Sequence, residues 1–235
     1  MESKPAKKRN CKACGQEGHN KKSKKCPNNP NVDHTKPDIT RILKKRDKSE
    51  DELLTIKNYT RGLIKIDADT RRAQIEHGEL YGKTPRSHGL CQEGSQGIMM
   101  LAIIYIMNDP SCRQPDAGDL ISDTYGLIEG KCVTSTNNAP GSCGGEQGWD
   151  TLCHLEANIL KDHYKLSILR IKHTDERWDE FKPANKDKSK KKERPRLNWK
   201  KIFAKFNDNF EHIYEGTFDG IFTPPATEPA SEQST

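Results

Sequence analysis

The chain is poor in apolar residues: they fill 31% of its 235 positions, no more than charged residues do. Folded domains are nearer half apolar. A core is therefore expected over part of the chain, with polar tails outside it. Long hydrophobic runs are missing too. The longest, residues 98–107, reads Ile-Met-Met-Leu-Ala-Ile-Ile-Tyr-Ile-Met. That is about half of what a helix needs to cross a bilayer, so no membrane span is expected and the run reads as a buried helix. No apolar stretch follows the polar, basic residues after Met1, so no secretory signal is expected. An intracellular chain is the expectation, with the nucleus favoured by its lysine runs. The eight cysteines then read as metal ligands, thiols or small buried side chains rather than a disulfide framework.

The charge is segregated. The net charge is +6, yet residues 1–46 alone carry +10 and residues 182–201 carry +8, so the rest is acidic. Clustered cations favour polyanions, because each phosphate neutralised releases counterions.

This composition divides the chain. Residues 1–10 form a basic tail and 11–27 a cysteine-bearing segment. Residues 28–40, rich in Asn, Asp and Pro, read as a linker. Residues 41–181 and 197–222 read as a mixed α+β body interrupted by a Lys-rich loop at 182–196. Residues 223–235, of Thr, Pro, Ala, Ser and Glu, form a disordered tail. Within the body, Ser49 ahead of Asp51 and Glu52 predicts a helix start. Helical spacing is also read at 63–80, 98–107, 149–161 and 199–210, with Asp109-Pro110 stopping the second of these. A near-continuous apolar run predicts a strand at 164–171, a short element is expected within 119–128, and 134–148 reads as a long loop.

The sharpest motif is Cys11-x2-Cys14-x4-His19-x6-Cys26. One structural zinc ion takes four N or S ligands in a tetrahedron, and a Cys-x-x-Cys pair supplies two from a single turn. Gly15 relieves that turn and Gly18 lets the chain double back to His19. The segment resembles the CCHC zinc knuckle. The retroviral nucleocapsid form has four residues between His and the last Cys. With six there and a following Pro27, this one is closer to the knuckle in the largest subunit of the general transcription factor that binds core promoters. The resemblance implies binding of single-stranded RNA or DNA, but the aromatic that stacks on bases is absent from 11–26. What remains is charge, from Lys7, Lys8, Arg9, Lys12, Lys21, Lys22, Lys24 and Lys25. Backbone contacts are therefore expected.

A second chemistry is open in the body. Cys91 lies just before the apolar helix, where a helix dipole stabilises a thiolate. His88-Gly89-Leu90-Cys91, the later Trp149, the strand and His212 near the C-terminus resemble the ovarian-tumour family of cysteine proteases. That family has Asp where His88 stands. The resemblance implies a deubiquitinase with Cys91 as nucleophile and His212 as general base, or an inactive relative. A protein-interaction adaptor, binding through the knuckle or the body, is the third reading. The leading expectation is a non-catalytic, zinc-dependent nucleic-acid-binding protein.

Overall fold

The computed structural model describes residues 10–12, 14, 16, 17, 26, 37–82, 89–134, 141–142, 148–181, 196–197 and 199–223. The chain divides into two compact units, Met1–Asp38 and Ile39–Thr235. The larger holds eleven helices and strands among its described residues. They are α1 (Ile39–Lys44), α2 (Glu50–Tyr81), α3 (Gln92–Tyr105), β1 (Leu120–Ser122), β2 (Gly126–Thr134), β3 (Gly141–Ser142), β4 (Thr151–Asn158), β5 (His163–Leu169), β6 (Arg196–Leu197), α4 (Trp199–Lys205) and β7 (Phe210–Gly216).

Ser49 starts α2 with a capping box. Its hydroxyl accepts from the Glu52 amide, and the Glu52 carboxylate accepts from the Ser49 amide at 2.9 Å. Glu50, Asp51 and Glu52 then face the positive end of the dipole. The helix runs unbroken through the stretch between the two helical patterns and ends at Gly82, whose φ of 61° suits glycine. α3 is longer than the apolar run. It begins at Gln92, capped by the Cys91 sulfur, and stops at Tyr105, four residues before Asp109. From Gly94 to Ile104 every residue is buried, so its apolar character all round is that of a central core helix.

Five strands form one mixed sheet in the order β1-β2-β4-β5-β7. β2 and β4 are parallel and the other neighbours antiparallel. One face packs Ile128, Cys153, Leu155, Leu166 and Ile168 against α3. The other packs Leu152 and Leu169 under Trp149, Trp178, Trp199, Ile202 and Phe206. A sheet covered on both faces explains the main departure from expectation. The segment 149–161 is not a helix but contains β4, because Leu152 and Leu155 lie on opposite faces of a strand. The expected helix at 199–210 is shorter as well: α4 ends at Lys205, a 3-10 turn covers Asn207–Asn209, and Phe210 already opens β7. β5 falls where a strand is predicted. β3 lies inside the expected loop at 134–148, and β6 touches the end of the Lys-rich segment, whose residues 182–195 fall outside the described ones. The expected tail from 224 onward and the linker residues 28–36 also fall outside. Among the described residues no helix is long and apolar enough to cross a membrane.

Candidate metal centre

In the N-terminal unit the chain turns back on itself directly after Asn10. The Cys11 amide donates to the Gln16 carbonyl at 2.8 Å, and Asn10 bridges Glu17 in antiparallel fashion. This tight turn carries Cys11 and Cys14 together, and Cys26 returns to the same point. The three sulfurs lie within 4.8 Å of one another. Cys11 and Cys26 stand 3.6 Å apart, sulfur to sulfur. That is far beyond a disulfide bond of about 2.05 Å, and none of the three is disulfide-bonded.

Burial makes the cluster informative. Cys11 is 2% exposed and Cys26 is fully buried, while Lys12, Gln16 and Glu17 beside them are exposed. So short a segment has no apolar core to explain two buried thiols, and a donor set of three thiols fits a metal ion. These three cysteines can hold one. His19, Gly15 and Gly18 lie outside the described residues, as do Lys7, Lys8, Arg9, Lys21, Lys22, Lys24 and Lys25. Of the cations expected to meet phosphate, Lys12 is described, and it is exposed.

The chain has no match among protein-family models, curated proteins or solved structures.

The body does not bring Cys91 and His212 together. Cys91 caps α3, which packs on one sheet face, and its amide donates to Asp67 Oδ2 at 2.8 Å. His212 pairs with Ser167, whose side chain points to the opposite face from Leu166 and Ile168. The sheet therefore stands between them. His212 Nε2 is instead 3.7 Å from the Glu215 carboxylate. The thiol environment favours the protonated form as well. Burial raises the Cys91 pKa, and Asp67 raises it further against the lowering from the Gly94 amide. Asp67 carries no sequence signal, being one acid among many in a charged helix. Of the remaining described thiols of the body, Cys112 and Cys153 are buried and Cys132 is partly buried: burial pushes Cys112 and Cys132 up to about 12 and raises Cys153 as well. Cys143 lies outside the described residues. His154 is 4% exposed and sits on β4 against the rings of Trp199 and Phe203.

Proposed function

We propose that residues 11–26 form a CCHC zinc knuckle and that the protein uses it to hold single-stranded nucleic acid. The clustering of the Cys11, Cys14 and Cys26 sulfurs carries the reading. With zinc–sulfur bonds of about 2.3 Å, a tetrahedron places two sulfurs roughly 3.8 Å apart, close to the 3.6 Å between Cys11 and Cys26. His19 supplies the fourth ligand. Zinc contributes the folding energy that so small a segment lacks, on the order of 10–16 kcal/mol in finger peptides. Lys12 and the cations at Lys7, Lys8, Arg9, Lys21, Lys22, Lys24 and Lys25 engage phosphates. Without an aromatic between 11 and 26, base stacking from the knuckle is absent and sequence preference is weak.

Cys14→Ser tests it. The variant is expected to lose its zinc by elemental analysis and to bind labelled single-stranded RNA or DNA at least about tenfold more weakly, a loss near 1.4 kcal/mol. Full zinc content in the variant removes the knuckle. Lost zinc with unchanged binding assigns nucleic-acid affinity to the basic segments alone.

A further inference from the structure

The body has a second candidate site, at the edge of the sheet. β1 pairs with β2 only from Gly126 to Ile128. Beyond Ile128, among the described residues, no strand pairs with β2 on that side. The Gly130 amide points to this open edge, where it donates to Asp119 Oδ2 at 2.8 Å. Strand alternation puts the Cys132 amide and carbonyl on the same edge. Beside it opens a cavity of about 570 Å3 between β2 and the first turns of α3. Gln92 and Gln96 line one wall, Asp119 the mouth, and Gly130 with Cys132 the strand side, while the side chains of Glu129 and Lys131 alternate to the other sheet face. Gly130 keeps the floor close: a Cβ there would meet Met99 Sδ at 2.8 Å.

The two edges of the sheet differ. β7, the opposite edge, carries a register shift and exposed Glu211, His212 and Glu215. Bulges and charges are how edges are kept from pairing. The β2 edge has neither a register shift nor proline from Glu129 to Thr134, its charges Glu129 and Lys131 neutralise each other in an ion pair, and it faces a cavity lined by carboxamides, which pair well with peptide groups.

We propose that this edge binds an extended peptide of a partner protein, which adds as a strand beside β2 and places a basic side chain in the cavity. Main-chain bonds to Cys132 hold the peptide and the cavity selects the side chain. The sign follows from Asp119, the charged side chain at the mouth; Glu129 and Lys131 pair with each other on the opposite sheet face. This site is separate from the zinc knuckle and does not depend on that reading.

The test uses the full chain and three labelled peptides: Ac-Thr-Val-Lys-Val-Thr-NH2, the same peptide with Glu for Lys, and the Lys peptide N-methylated at both valines. Fluorescence anisotropy reads binding, and hydrogen exchange locates it. The Lys peptide is expected to bind and to protect the Cys132 amide. The Glu peptide is expected to bind about tenfold more weakly, since like charges oppose it. The N-methylated peptide is expected not to bind. Asp119→Asn is expected to narrow the Lys-over-Glu preference. No binding of the Lys peptide at millimolar concentration overturns the proposal. So does equal binding of the N-methylated or Glu peptide, or protection confined to other amides.

Discussion

His154 is a neutral histidine that cannot easily become charged. It is 4% exposed, its ring lies 4.3 Å from Trp199 and 5.1 Å from Phe203, and its Nε2 has no hydrogen-bond partner among the described residues. Burial lowers its pKa from 6.5 to about 4. The folded pKa thus lies below the unfolded one, and between them the unfolded chain binds more protons. Stability is expected to fall as pH drops from 6.5 towards 4, by at most about 1.4 kcal/mol per pH unit, and this contribution levels off below that window. Urea unfolding at pH 7 and pH 5 checks it, followed by the fluorescence of Trp149, Trp178 and Trp199, all in the larger unit. His154→Phe is expected to lose less stability than the parent between these pH values. An equal loss would assign the slope to other groups. Residue chemistry of this kind is unevenly legible in sequence. Cys11, Cys14 and Cys26 are readable because thiols at metal-ligand spacing close locally. Whether Cys91 meets His212 depends on which sheet face each occupies, and a linear reading does not carry that.

Between elements, one tight contact is where α3 crosses α2. A Cβ on Gly97 would collide with the Thr60 side chain, whose Oγ1 is buried with no hydrogen-bond partner among the described residues. Gly97→Ala is expected to destabilise the body by about 1–3 kcal/mol through overpacking. With Thr60→Ala also present the cost is expected to shrink or reverse, because alanine is the better helix former by about 1 kcal/mol. Denaturant midpoints of the four proteins in that cycle measure the coupling. Ser49→Ala removes the cap of α2 and is expected to cost about 1 kcal/mol in the same assay. The Ser49 start and the strand β5 are visible in sequence because a cap and a short apolar run are local signals. The helix expected over 149–161 is not found, because a strand buried on both faces loses its alternation. Leu152, Leu155 and Ile159 then fall by accident at helical spacing, although the first two face opposite layers. The true start of α3 was hidden for the converse reason. Gln92, Glu93 and Gly94 look like loop, yet they form the first turn because Cys91 caps it.

At the scale of the whole molecule the deciding property is where the charge lies. Residues 1–46 carry +10 on a chain whose net charge is +6. If those cations meet phosphates, affinity for single-stranded nucleic acid must fall with salt, with a log–log slope of about −0.7 per phosphate neutralised. Zinc and charge then contribute in separable ways. Deleting residues 1–9 removes Lys4, Lys7, Lys8 and Arg9 and leaves every proposed zinc ligand in place. The slope is expected to become shallower by up to about 3, at roughly 0.7 for each of the four cations, with zinc content unchanged. Chelation is expected to act differently. If zinc organises the knuckle as proposed, chelation removes the scaffold that would present Lys12, Lys21, Lys22, Lys24 and Lys25, so affinity falls at every salt concentration while the free tail keeps its own contribution to the slope. A salt series on parent, truncated and chelated protein separates the two. If truncation leaves the slope untouched, the tail is a solvated run that does not touch phosphate. If chelation leaves affinity untouched at low salt, the metal organises this segment for some other purpose than holding nucleic acid.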